Sequence, residues 1–88
     1  MALDPEQEAR RVAVETSVTK GRELAKAGDV EASREQFRNA LTISPTLILS
    51  PEMELRQLAI PALRAKGQEL AREGDVEGAV IQFNLALQ

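Results

Sequence analysis

The chain repeats itself at a fixed offset of 46 residues. When residues 1–42 are aligned with residues 47–88, 19 of the 42 positions carry the same amino acid. The agreement is densest between residues 20–31, KGRELAKAGDVE, and residues 66–77, KGQELAREGDVE. A period of this size is typical of repeat proteins, in which each repeat is one supersecondary unit that stacks on its neighbour. The repeat therefore constrains the fold more than any other feature of the sequence.

The first repeat predicts two antiparallel helices. A long helix begins at Pro5, because Asp4 can cap it and proline suits the first helical position, and it runs to residue 27. Gly28 ends this helix and Asp29 caps the next, since glycine readily adopts the left-handed conformation found after a helix C-terminus. So short a connection makes the two helices antiparallel neighbours. The expected buried positions of the second helix recur at helical spacing: Val30, Ser33, Phe37, Ala40 and Leu41.

The second repeat predicts the same pair of helices, over residues 51–73 and 76–88. Its long helix differs from that of the first repeat because it contains Pro61. A proline inside a helix lacks a backbone N–H and clashes with the preceding turn. We therefore expect either a kink at this position or a break into helices over residues 51–60 and 61–73.

The composition excludes several classes of function. The chain has 11 Lys and Arg against 14 Asp and Glu, and only 2% aromatic residues, whereas a nucleic-acid-binding surface needs a basic stripe and stacking aromatics. It contains no Cys and no His, so a thiolate nucleophile, the commonest general base and the commonest metal ligand are missing. No glycine-rich phosphate loop or calcium loop is recognisable. We expect no catalytic site, no cofactor, no metal and no nucleic-acid partner.

The distribution of apolar residues also bears on location. No apolar run is long enough to span a bilayer. The N-terminal residues, MALDPE, lack the basic and apolar regions of a signal peptide. We therefore expect a cytoplasmic protein that does not bind membranes.

Glycine, apolar and proline residues recur in the same order in both repeats. In the first repeat they are Gly21, Leu24, Gly28, Val30, Phe37, Ala40, Leu41 and Pro45. In the second repeat they are Gly67, Leu70, Gly74, Val76, Ala79, Phe83, Ala86 and Leu87. This order resembles the tetratricopeptide (TPR) repeat family. The first glycine of each list is expected where the two helices of a pair cross.

The resemblance implies an all-α fold of two tandem TPR-like antiparallel hairpins, with repeat 1 over residues 1–46 and a C-terminally incomplete repeat 2 over residues 47–88. The period of 46 residues exceeds the 34 of a standard TPR, so the chain looks like an extended variant with an elongated first helix in each pair. The extra residues fall at 2–13 and 48–59. Such a solenoid fragment would be a protein–protein interaction scaffold, non-catalytic and part of a larger multidomain protein.

In the TPR family the first helices of successive hairpins line a concave groove that holds a peptide. The groove positions carried over to this chain are Glu15, Val18, Arg22, Ala25 and Lys26, then Pro61, Arg64, Gln68, Ala71 and Arg72. The resemblance therefore implies a partner groove at Arg22, Lys26, Arg64, Gln68 and Arg72. Its four cations would form a basic strip able to pair with an acidic peptide. The alternative, which charge pattern alone favours, is a solvated charged surface.

The fourth helix is where the two repeats differ most. Three polar residues of the second helix are replaced by apolar ones: Arg34 by Val80, Glu35 by Ile81 and Asn39 by Leu85. A helix that is apolar nearly all round is normally covered on every side, which indicates either a longer array or pairing of two chains through this helix. We expect the isolated chain to self-associate, with a dimer as the simplest form, and a mildly sticky exposed surface is the remaining alternative. The self-association face would consist of Val80, Ile81, Phe83, Leu85 and Leu87.

Overall fold

The computed structural model describes residues 4–87. Within this range the chain is all-α, as predicted, and it forms four helices and no strand. The helices are α1 (Pro5–Lys26), α2 (Val30–Ile43), α3 (Pro51–Arg72) and α4 (Val76–Ala86). The predicted ends differ by one residue in α1 and α3, where Ala27 and Glu73 are cap residues. The predicted end of the fourth helix, Gln88, lies outside the described residues.

Each pair of helices is joined by the same tight turn. Gly28 and Gly74 have left-handed backbones, with φ of 83° and 89°. Asp29 and Asp75 follow them with φ of −88° and −85°, and each accepts a hydrogen bond from a backbone N–H of the next helix. Because glycine is the residue that adopts positive φ at low cost, the turn chemistry explains why both long helices end where they do.

A glycine–phenylalanine contact fixes the crossing of the helices within each pair. A Cβ added to Gly21 would lie 2.6 Å from Cε1 of Phe37, and one added to Gly67 would lie 2.7 Å from Cε1 of Phe83. Any side chain at these glycines would displace the ring. The prediction that both glycines lie at helix crossings is confirmed. In the first pair a buried bond from Oγ of Ser33 to the carbonyl of Gly21, 2.6 Å long, adds to the contact.

Of the two alternatives expected at Pro61, a kink or a break, the break into two helices is wrong. Helix α3 continues without interruption from Pro51 to Arg72. Proline removes one backbone hydrogen bond, the bond to the carbonyl of Gln57. Both Pro61 and Gln57 are exposed, so water can satisfy that carbonyl and the helix survives.

The two helix pairs are staggered along a rod of 60 × 19 × 15 Å. A helix of the length of α1 or α3 spans about 33 Å, so the pairs overlap over only part of their length. Within the described residues α3 contacts α1, α2 and α4, whereas α4 contacts only α3. The N-terminal half of α3 therefore lies on the first pair, and its C-terminal half pairs with α4.

Candidate protein-interaction surfaces

The N-terminal half of α3 covers one face of the first helix pair. Leu55 and Ala59 of α3 are buried together with Ala25 of α1 and Phe37 of α2. Ala25 and Phe37 are fully inaccessible to solvent. Three partly buried residues extend the cluster: Val30, Leu49 and Leu58. Burial of apolar side chains on this scale is the main attraction that holds the two pairs together.

Charged side chains at the edge of this contact fix the register of α3. The guanidinium of Arg22 binds the carboxylate of Glu54 with both ends, Nη2 to Oε1 at 2.8 Å and Nε to Oε2 at 3.2 Å. This hydrogen-bonded pair lowers the pKa of Glu54 and raises the pKa of Arg22. A second, longer pair joins Nε of Arg34 to Oε1 of Glu52 at 3.5 Å. A two-pronged arginine–carboxylate contact sets direction as well as attraction, so α3 is held at one position along α1.

We call this surface of the first pair the covered face, and define it by residues that meet or lie beneath α3: Arg22, Ala25, Val30, Arg34 and Phe37. The residues 46 positions later form the corresponding surface of the second pair. We call this second surface the open face: Gln68, Ala71, Val76, Val80 and Phe83.

The open face lacks the cover that α3 gives to the covered face. Ala71 is exposed and Val76 is 67% exposed, whereas Ala25 is buried and Val30 is half-buried. The turns show the same contrast. A Cβ on Gly28 would meet the side chain of Leu63 at 3.2 Å, whereas nothing lies within 4 Å of the corresponding position. The second pair thus presents, in solvent, a surface that the first pair buries.

The basic strip predicted along α1 and α3 does not form a set of uncommitted cations. Arg22 is bound by Glu54, and Nη1 of Arg72 pairs with Oε2 of Glu69 at 3.3 Å. Ala25, the groove position between Arg22 and Lys26, is buried beneath α3 and cannot contact a partner. The other three residues of the five-residue partner groove are exposed: Lys26, Arg64 and Gln68. Sequence spacing gave no signal for the pair between Arg22 and Glu54, because it joins residues on different repeats.

The predicted self-association face on α4 is largely exposed. Val80 is 48%, Ile81 58%, Leu85 40% and Leu87 85% exposed. Phe83 differs, because its ring is half-buried and lies against Gly67 within its own pair. The identical spacing of Gly21 and Phe37 in the first repeat was the signal that could have assigned Phe83 to this contact.

A cleft of about 310 Å³ lies where the start of α2, the middle of α3 and the end of α4 approach one another. Its apolar lining comes mainly from Leu55, Ile60, Leu63 and Leu85. This cleft is not predictable from local patterns in the sequence, because its shape depends on the stagger of the two helix pairs. The cleft adjoins the exposed apolar residues of α4 and is wide enough to admit an apolar side chain of a partner.

Within residues 4–87, no three His, Cys, Asp or Glu side chains are grouped so that they could hold a metal ion. No helix in that range combines the length and hydropathy needed to cross a bilayer. Comparisons of the chain with protein-family models, with curated proteins and with solved structures found no match. The resemblance to TPR repeats consequently rests on the residues of this chain alone.

Proposed function

We propose that this chain is a non-catalytic protein–protein interaction scaffold of the TPR type, forming part of a larger multidomain protein. The observation that supports this most is the exposed apolar surface of α4. Four of its large apolar residues are at least 40% exposed within one short helix: Val76, Val80, Ile81 and Leu85. Large apolar side chains exposed in such number on one short helix mark a place where another protein binds.

The chemistry of this surface favours an apolar helical segment over an acidic peptide. The basic strip is weakened as an acidic-peptide site, because Arg22 is held by Glu54 and Arg72 pairs with Glu69. The surface of α4 instead offers apolar contacts at helical spacing, with Leu85 at the border of a cleft that has both apolar and charged lining residues. An amphipathic helix can place apolar side chains into such a surface at every third or fourth position.

Selection from a displayed peptide library tests this proposal. The probe is the chain itself, and the matched variant carries Val80→Arg, Ile81→Glu and Leu85→Asn, the residues found at the same positions of α2. We expect selected peptides to be amphipathic and to bind the variant at least about tenfold more weakly, since three central apolar contacts are lost. A control with Arg64→Ala and Arg72→Ala should bind as the unaltered chain does. Peptides that bind the α4 variant equally well, or a library that yields none, would contradict the proposal.

A second candidate function is homo-oligomerisation through the C-terminal helix. The adjacent exposed residues Val80 and Ile81 favour it, because two such helices could bury each other across a two-fold axis. Light scattering at high concentration tests this candidate directly. It predicts a dimer that the three α4 substitutions convert to a monomer, and a chain that scatters as a monomer throughout rules it out.

A further inference from the structure

The 46-residue repeat relates the two helix pairs to each other. It also relates the segment of α3 that covers the first pair to a segment of α1 that is uncovered. Residues 51–63 of α3 cover the first pair, and the matching residues 46 positions earlier are 5–17 of α1. Ala9 corresponds to Leu55 and is exposed, whereas Leu55 is only 6% exposed. Val12 is 49% exposed, whereas its counterpart Leu58 packs against the core. The N-terminal half of α1 thus exposes residues whose counterparts on α3 are packed, as the open face exposes residues whose counterparts on the first pair are covered.

We propose that the open face binds the N-terminal half of α1 from a second copy of this chain, in the way that the covered face binds α3. This inference rests on the proposed function, because it names a second copy as the protein partner. The contact is head-to-tail: one copy contributes its open face and the next contributes residues 5–13 of α1. Each copy keeps one unused surface, so association extends to rings or linear arrays rather than stopping at a two-fold dimer.

The apolar parts of the two surfaces match those of the contact within the chain. Leu55 and Ala59 meet Ala25 and Phe37 in the covered face. The corresponding donor residues on α1 are Ala9, Val12 and Ala13, and the corresponding acceptor residues are Ala71, Val76 and Phe83. The donor side chains are smaller than those of α3 at two of these positions. We therefore expect the contact between copies to bury less apolar area and to be weaker and reversible.

At the edge of the open face both arginines are replaced, and one of the two positions keeps a hydrogen-bond donor. Glu8 corresponds to Glu54, and it would face Gln68, whose amide can donate a hydrogen bond to a carboxylate. Glu6 corresponds to Glu52 and would face Val80 in place of Arg34. The carboxylates of Glu6 and Glu8 are thus present on α1, where Arg10 and Arg11 of the same helix pair with them, while the residues that they would face on the open face are neutral.

Both surfaces are formed before they meet. Helix α1 is already helical from Pro5 onward, so docking does not require it to fold. The turn that borders the open face has the same geometry as the turn that borders the covered face: φ is 89° at Gly74 and 83° at Gly28. The glycine–phenylalanine crossing beneath each face agrees to within 0.1 Å at its shortest distance. The open face therefore offers a helix shaped like the first half of α3 a binding surface similar to the covered face.

Two single variants test the proposal through complementation. Ala9→Arg blocks the donor surface and Ala71→Arg blocks the acceptor surface, because their counterparts Leu55 and Ala25 are buried in the contact. Both alanines are exposed, and arginine favours helix, so each variant should fold, which circular dichroism can verify. By sedimentation equilibrium we expect the unaltered chain to associate and each variant alone to be monomeric. A 1:1 mixture should form a dimer and no larger species, since each partner retains one surface that the other lacks.

A mixture that stays monomeric overturns the proposal, and so does an unaltered chain that is monomeric at about 1 mM, where even weak specific contacts are occupied. Failure of the proposed function gives a different pattern. If the library yields α4-dependent peptides but the mixture stays monomeric, the scaffold function is supported and the head-to-tail contact is contradicted. If the mixture dimerises but the library yields no peptides, the contact stands and binding of other proteins falls.

A second pair of variants provides a readout that does not depend on blocking. Gln68→Arg places at the open face the residue that binds Glu54 in the covered face, so association should tighten roughly fivefold through Glu8. Val80→Arg restores the counterpart of Arg34 opposite Glu6, so head-to-tail association should also tighten, by a smaller factor than in Gln68→Arg. Two-fold pairing of α4 would instead be abolished by Val80→Arg. Weakened association in Gln68→Arg, or loss of association in Val80→Arg, contradicts the head-to-tail arrangement.

Discussion

The two helix pairs have the same turns and the same internal crossing, yet they differ in how completely their core residues are buried. Phe37 is fully buried while Phe83, in the matching position, is half-buried. The difference does not arise inside the pairs, because each phenylalanine lies against its glycine at nearly the same distance. It arises because the first half of α3 lies on one pair and nothing in residues 4–87 lies on the other. A pair of this type therefore completes its core only when a neighbouring helix covers it.

The comparison also explains the unusual length of the repeat. Relative to the 34-residue TPR unit, the extra residues of the second repeat are 48–59. These residues include Leu55, Leu58 and Ala59, which are the ones that pack on the first pair. The elongation of the first helix is thus the part of the repeat that docks on its neighbour. The same segment of the first repeat, residues 2–13, includes the exposed Ala9 and Val12.

The largest expected effect is the difference in stability lost when each of the two phenylalanines is replaced by alanine. Phe37→Ala should lower the free energy of unfolding by about 3–5 kcal/mol, because it leaves a cavity beneath α3. Phe83→Ala should cost roughly half as much, since part of that ring is already in solvent. Urea denaturation of dilute samples measures both. Equal losses would show that α3 contributes little to burial of the first pair.

A second prediction uses the position at which the long helices differ. Pro61→Ala should stabilise the chain by about 1–3 kcal/mol, because alanine restores a backbone hydrogen bond inside α3 and removes a steric clash. The reverse change at the matching position, Glu15→Pro, should destabilise α1 by a similar amount. Thermal denaturation followed by circular dichroism checks both. A destabilised Pro61→Ala variant would indicate that the proline shapes α3 for its contacts.

Replacing the glycines of the two turns by alanine should give a smaller difference in stability, with the larger loss at Gly28. Alanine at Gly74 should cost about 1 kcal/mol, because its positive φ is unfavourable for any residue with a Cβ. Alanine at Gly28 should cost more, about 2 kcal/mol, because its Cβ would also press on Leu63 at 3.2 Å. Urea denaturation of the two variants, compared at one concentration, tests the order. A larger loss at Gly74 would mean that its turn is covered in solution.

The smallest expected effect is a pH dependence confined to the covered face. Because the pKa of Glu54 is lowered in the folded chain, its stabilising contribution is present above the ordinary glutamate value of 4.5 and is lost as the pH falls through the lowered value. On acidification from about pH 6 to 3, Glu54→Gln should therefore lose less stability than the unaltered chain, by about 1 kcal/mol or less. Repeating the comparison in an Arg22→Ala background should remove most of that difference, which a double-mutant cycle measures. A difference that survives without Arg22 would assign the effect to another group.

Local features of the fold were predictable from the sequence because they depend on neighbouring residues. The start of α1 at Pro5, the turns at Gly28 and Gly74, and the crossings at both helix glycines follow from caps, φ preferences and repeat matching. The sequence left open whether α3 breaks at Pro61, since the cost of a helical proline depends on whether water reaches the freed carbonyl.

The candidate surfaces were predictable only in part. Val80 and Ile81 of the predicted self-association face are exposed, and their pairing with a second chain stays a prediction. The burial of Ala25 and the binding of Arg22 by Glu54 were not predicted, because they depend on where α3 lies along α1. That stagger is decided by contacts between repeats, which no local spacing in the sequence describes. The matched charges at Arg22 and Glu54 become recognisable only once the two helices are placed side by side.

Amide hydrogen exchange of the unaltered chain at low and high concentration tests most directly the claim that one pair is covered and the other is open to a second copy. At low concentration, residues 76–83 should exchange faster than residues 30–37, because only the latter are covered by the N-terminal half of α3. At high concentration this gap should narrow, and residues 5–13 of α1 should gain protection together with residues 76–83. Equal exchange of the two segments in dilute solution, or rates that do not change with concentration, would contradict the claim.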